Sequence, residues 1–235
     1  MGIGEKSSQT PQSESDSWLE MENEILDRLG ALEDREAIRD VLYKYCQAVD
    51  RGDRELMLSC YHPNATDDHG FFAGPATDFI DYVLPQLAKL EHSVHSLSNP
   101  QIQLDGNFAH TQTQWSVIHR VKRRTSMTDF WHQGRYLDVF EKRNGDWKIL
   151  KRIAVIDGDR WVKTANLYHL LKKSEREAFD FGERGEKDPI YNVEHLQARS
   201  KHIEGPKAFW SPLKRAVAIP VFILHWLGGL GRDKD

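Results

Sequence analysis

Two residues have the right types for proton-transfer chemistry: Asp50, in "YKYCQAVDRGDRE", and His95, in "KLEHSVHSLSNPQIQLDG". A carboxylate that accepts a hydrogen bond from imidazole Nδ1–H orients the ring and raises its basicity, leaving Nε2 as a general base. Tyr45, five residues before Asp50, falls inside the apolar stripe of a helix, with Asp50 at the stripe's margin. Each member also has an ordinary reading. "DRGD" is common helix-end chemistry, and His95 fits a hydrogen-bonded position on a strand. Nothing in the spacing brings the two together.

Further candidates follow in the second half. Alternation along a strand puts His119 on one face with Trp115 and Val117. Phe130, His132, Gly134, Tyr136, Asp138 and Phe140 alternate with Trp131, Gln133, Arg135, Leu137, Val139 and Glu141. One face is therefore aromatic and polar at once, which suits a pocket wall and equally a mixed surface. Arg152 could hold a carboxylate, stabilise an oxyanion or pair with a sheet neighbour. The run Asp67 to His69, "DDH", offers metal-ligand types, but strand alternation separates their faces, so no metal is expected. "GLGR" near the C-terminus follows no strand and opens no helix, so no dinucleotide site is expected, and no cofactor.

These residues need elements to hold them. Residues 1–17, rich in Ser, Gln and Glu, are expected to be disordered. A helical pattern starts at Trp18 and is interrupted near Gly30. A stronger one runs from about Asp34 to Arg51, with Ile38, Val41, Leu42, Tyr45, Cys46 and Val49 on one face and Gly52 beyond its end. A short helix over Asp53–Cys60, a strand over Thr66–Phe72 and a helix over Ala76–Leu90, kinked or shortened by Pro85, come next. His92, just ahead of the following strand, is expected to be exposed. Four long strands then read as Val94–Leu104, Phe108–Val121, Met127–Arg143 and Trp147–Ile156, with hairpin turns at "DGN" and "RNGD". The order implies an α+β domain over 18–160, a curved, mostly antiparallel sheet whose concave face is covered by helices. Residues 161–235 read as an extension that opens with a helix over Trp161–Phe179.

Composition excludes several classes. The net charge of −4 includes no basic domain, which argues against nucleic acid. Cys46 and Cys60 have no metal-ligand or redox spacing. No apolar signal core opens the chain, so a soluble, cytoplasmic protein is expected. The apolar segment 209–231 is short for a span and contains Pro220. Lys207, Lys214 and Arg215 would suit an interfacial membrane contact. The favoured reading is a cover over the mouth of the domain or a contact with a neighbouring protomer.

"DREAIRDVLYKYCQAVDRGDRELMLSCYHPNA", then "HSLSN", then "GRYLDVFEKRNGDWKI" resemble the SnoaL-like branch of the nuclear transport factor two-like superfamily, over about residues 32–161. The resemblance implies a cone-shaped α+β barrel wrapped on a long helix. Scytalone dehydratase, hexachlorocyclohexane dehydrochlorinase and bile-acid 7α-dehydratase, which share this fold, resemble the chain at the candidate positions. It implies Asp50 and His95 as the catalytic pair. Tyr45, His119 and Arg152 would be pocket residues, while His69 and Tyr136 stand where scytalone dehydratase has Tyr and Asn. A cofactor-free elimination or isomerisation follows as the expected activity, on a small cyclic apolar molecule walled by Trp115, Phe130 and Tyr136. A homodimer or homotrimer is expected. The alternative is a non-catalytic binding or dimerisation module.

Overall fold

A computed structural model describes residues 11–122, 127–164, 173–176, 179–192 and 194. The first ten residues and the segment 209–231 lie outside that set. Two compact units emerge, one built from residues up to Lys122 with 128–162, the other from 123–127 and 163 onwards.

In the first unit, helix α1 runs unbroken from Pro11 to Arg51. This corrects two expectations. Residues 11–17 are helical rather than disordered; Pro11 fits the first turn, where its missing N–H leaves nothing unpaired. Gly30 does not interrupt the helix, because a single glycine costs only about 1 kcal/mol there. Among the described side chains of α1, the packed ones lie in its C-terminal half. Ile38, Leu42, Tyr45 and Val49 are buried, whereas Trp18, Ile25, Leu29 and Leu32 are exposed.

Helix α2 (Arg54–Ser59) is capped by Asp53, which accepts the Leu56 N–H at 2.9 Å. Strand β1 (Tyr61–Asp68) begins earlier than expected. "HPNAT" is a bulged stretch of strand, marked by a register shift between Tyr61 and Thr66. Strand β2 (Ala73–Pro75) is too short to show a period and was not expected. Helix α3 (Ala76–Leu87) stops two residues after Pro85, as the shortened alternative had it.

Strands β3 (His92–Asp105), β4 (Phe108–Lys122), β5 (Met127–Arg143) and β6 (Asp146–Thr164) follow. Gly106 (φ 57°) opens the two-residue turn after β3, and Asn144 (φ 53°) with Gly145 (φ 90°) makes the turn after β5. β6 extends past Ile156 and takes up 161–164, where a helix was expected. Trp161 and Val162 are residue types that favour strands. His92 is half-buried rather than exposed, since it is already in β3.

The sheet order is β2-β1-β6-β5-β4-β3. Its edges are β2 and β3, so it curves without closing. β3 pairs with β4 antiparallel, and β1 pairs with β6 in parallel. The packed half of α1, together with α3, forms one core with the inner face of the sheet, through Trp115, Val117, Tyr136, Phe140, Trp147 and Ile149. Asp34 fastens α1 to the end of this sheet, accepting Lys142 Nζ at 2.6 Å and Trp147 Nε1 at 2.7 Å.

The second unit contains a helix α4 (Lys173–Arg176) and two 3₁₀ turns, Gly185–Lys187 and Pro189–Tyr191. Asp188 organises the turns, accepting the N–H groups of Glu183 and Ile190. Among the described residues, no helix is long and apolar enough to cross a membrane.

Candidate active site

Asp50 is the penultimate residue of α1, and Gly52 (φ 71°) ends the helix just beyond it. This places the carboxylate at the inner face of β3, where alternation turns Ser93 and His95 inward and Val94 and Ser96 outward. Asp50 Oδ1 lies 2.6 Å from His95 Nδ1 and accepts the Ser93 hydroxyl at 3.0 Å. Asp50 Oδ2 accepts the His95 main-chain N–H at 2.7 Å. The carboxylate therefore holds both the ring and the strand that carries it. With Nδ1–H donating to Asp50, Nε2 is the basic nitrogen of the ring. The side chains of His95 and Asp50 are 8% and 7% exposed, so the pair is largely shielded from water.

The His95 ring continues into a row across three strands. His119 on β4 lies 5.9 Å from it between centroids, and His132 on β5 lies 5.9 Å from His119. Phe130 covers His132 at 3.9 Å and meets Trp161 edge-on at 4.3 Å. Burial lowers the pKa of His132, against the opposing pull of Asp159.

A second polar group occupies the same inner face. Arg152 on β6 is fully buried and forks onto Asp138 of β5 with two bonds of 2.8 Å. Its guanidinium lies between the Tyr45 ring at 4.2 Å and the Tyr136 ring at 4.0 Å. Of the roles open to Arg152, pairing with a sheet neighbour is the one observed. Burial raises the Tyr45 and Tyr136 hydroxyls well above the ordinary tyrosine value, Arg152 partly offsetting it. Burial also raises Asp138, and Arg152 counteracts this. Asp67, buried on β1, accepts Tyr61 Oη–H at 2.6 Å and bonds the His69 ring at Nδ1. His69 stacks on Phe79 at 4.3 Å and meets Tyr136 edge-on at 6.1 Å. Trp115 stacks on Tyr136 at 5.6 Å, between the two polar groups.

Asp50 and His95 thus meet, with His119 and Phe130 on the same side. Tyr45, His69, Tyr136 and Arg152 gather in the second group. The alternation argument had separated the faces of "DDH"; only Asp68 is turned away, and Asp67 and His69 meet. Sequence reasoning gave no role to Ser93 or Tyr61, weighed Asp67 only as a metal ligand, and placed Asp138 only on a mixed strand face. Two-residue spacing could have flagged Ser93 beside His95 and Asp67 beside His69. Two clefts, of ≈ 250 and ≈ 110 Å³, are lined mainly by outward-facing residues such as Gln114, Ser116, Gln133 and Asp159, and include neither Asp50 nor His95. Among the described residues, no group of three or more His, Cys, Asp or Glu could hold a metal ion.

A long helix packed in an open, curved six-stranded sheet defines the class: the nuclear transport factor two-like α+β cone. Within it, this chain belongs to the family of SnoaL-like domains, whose model matches residues 30–153. The fold is shared with the Kfla4162 protein from Kribbella flavida, at 13% identity and a TM-score of 0.52 over 55% of this chain and 95% of that one. A candidate scytalone dehydratase from Novosphingobium aromaticivorans matches at 21% and 0.50 over 55% and 88%. A hexachlorocyclohexane dehydrochlorinase, LinA type 2, matches at 17% and 0.51 over 59% and 94%. No curated protein matches the chain significantly in sequence.

Proposed function

We propose that this protein is a cofactor-free lyase of the dehydratase type, acting on a small, cyclic, mostly apolar molecule such as a steroid or polyketide. The observation that carries the reading is the Asp50–His95 pair, with Ser93 and the His95 N–H completing the carboxylate's bonds. His95 Nε2 takes a proton from the carbon next to a carbonyl. The electron pair of that C–H bond forms the new double bond, and the C–O bond to a neighbouring hydroxyl breaks. A positioned base of this kind contributes about 10²–10⁴-fold. Trp115, Phe130 and Tyr136 supply apolar walls, and Tyr45 and His119 polar contacts for the carbonyl or the leaving oxygen. The activities named for two fold neighbours, dehydration and dehydrochlorination, are both eliminations. An isomerase would use the same base and return the proton to another carbon.

One observation favours a different reading, a non-catalytic binding or dimerisation module. The Trp115–Tyr136 stack fills part of the inner face, and the two clefts lie away from the pair. A screen of cyclic hydroxyketones, read as new conjugated absorbance, separates the two. Turnover by the purified chain that is abolished in His95→Ala supports the lyase. Tight ligand binding without turnover, unchanged in His95→Ala, supports the module.

A further inference from the structure

We propose that His69 is a second proton-transfer residue, which protonates the leaving oxygen while His95 removes the carbon-bound proton. This rests on the elimination reading and assigns it an acid.

Asp67 binds His69 at Nδ1 as Asp50 binds His95, through one carboxylate oxygen, and its other oxygen is held by Tyr61 Oη–H at 2.6 Å. Asp67 is 1% exposed. This bonding orients the ring and leaves Nε2 as the nitrogen that can pass a proton. Packing fixes the ring plane, with Phe79 stacked at 4.3 Å and the Tyr136 and Phe71 rings 6.1 and 5.9 Å away. The groups around it are Asp67 and Tyr61 on β1, Phe79 on α3, Tyr136 and Asp138 on β5, and Arg152 on β6. Two of these are buried carboxylates, and the forked bonds of the one guanidinium go to Asp138. Asp67 lies opposite Arg152 in the β1–β6 register, and its two oxygens are held by Tyr61 and His69.

A chain of contacts runs between the two imidazoles: His69 meets Tyr136, Tyr136 stacks on Trp115, and Trp115 lies opposite Leu97, two residues along β3 from His95. Hydroxide is a poor leaving group, and a proton delivered as the C–O bond breaks turns it into water. The balance is complete. The C–H proton goes to His95 Nε2, its electron pair forms C=C, the C–O pair stays on oxygen, and oxygen takes the His69 Nε2 proton. Both rings are then reset through solvent.

The test compares two probes on the full chain. 5-Nitrobenzisoxazole needs only a base, because its leaving phenolate requires no proton. 4-Hydroxy-4-phenylbutan-2-one needs a base and an acid, and yields an absorbing enone. His95→Ala is expected to lose both activities. His69→Gln is expected to lose about 100-fold or more on the hydroxyketone and at least tenfold less on the benzisoxazole. It should also lose the alkaline limb of the wild-type pH profile on the hydroxyketone. Asp67→Asn should reproduce the split, and His69→Tyr, which keeps a ring over Phe79, serves if His69→Gln melts early. Equal losses on both probes, or an unchanged alkaline limb, would overturn the role of His69 while leaving His95 as the base. A wild-type chain with no His95-dependent activity on either probe would overturn the elimination reading and this inference with it.

Discussion

The hydroxyl of Ser93 donates to Asp50 Oδ1 at 3.0 Å, the same oxygen that lies 2.6 Å from His95 Nδ1. With the His95 N–H on the other oxygen, the carboxylate cannot turn without breaking three bonds. Removing Ser93 leaves two of them. Ser93→Ala is therefore expected to lower stability by about 1 kcal/mol and turnover only several-fold. Asp50→Asn can present its NH₂ to Nδ1 and reverse the tautomer, so its loss should be much larger, and that of His95→Ala complete. Steady-state rates and thermal melts of the three variants check this order. Equal activity in all three would sink the dyad.

Gly134 has no room for a side chain. A Cβ built there would stand 1.9 Å from the Val155 carbonyl oxygen and 2.7 Å from Trp115 Cζ2. The carbonyl belongs to the adjacent strand and cannot swing away. Gly134→Ala should destabilise the domain by about 1–3 kcal/mol or more, seen as a lower midpoint in urea. A wild-type midpoint would contradict the close approach of β5 and β6.

The layout was readable because its signals are local. Asp50 stands at a helix end that Gly52 marks, and His95 stands on a strand whose alternation is clean. Their contact was not readable, because it depends on where α1 crosses β3, which no local period encodes. β2 is too short for any period, and the exposed apolar residues from Trp18 to Leu32 look in sequence like a buried stripe. The Asp67–His69 bond was missed for a different reason. β1 was expected over Thr66–Phe72, which puts His69 inside the strand, and the bulge after Tyr61 leaves no mark in composition.

His132 makes stability depend on pH. Burial lowers its folded pKa below the ordinary 6.5, so the unfolded chain takes up the proton first. Stability should fall as pH drops through about 6.5, and the loss should level off below the depressed folded value. His132→Gln should flatten this part of the profile in urea titrations between pH 7.5 and 5. An unchanged slope would show that His132 does not carry it.

The two thiols should be inert in the folded protein. Burial pushes Cys46 up to about 12 and Cys60 up to about 11, despite the opposing charge of Arg152. At pH 8 only about one in a thousand Cys60 side chains, and fewer Cys46, would be thiolate. Iodoacetamide should leave the native chain unmodified by intact mass and add two groups after unfolding. Rapid labelling of the native chain would refute the raised thiol values.

The parallel pairing of β1 with β6 makes the molecule a check on its own completeness. Tyr61 lies opposite Ile149, and Asp67 opposite Arg152, so a strand made early waits for the last strand of the sheet. As the chain leaves the ribosome, α1, β1 and α3 emerge first, and the side of β1 that will meet β6 has no neighbour. Asp138 emerges before Arg152, its forked partner. A chain broken off between them would have to bury a lone carboxylate, a cost of about 3–5 kcal/mol. Truncated products should therefore stay open and accessible to proteases instead of settling into a half-built cone.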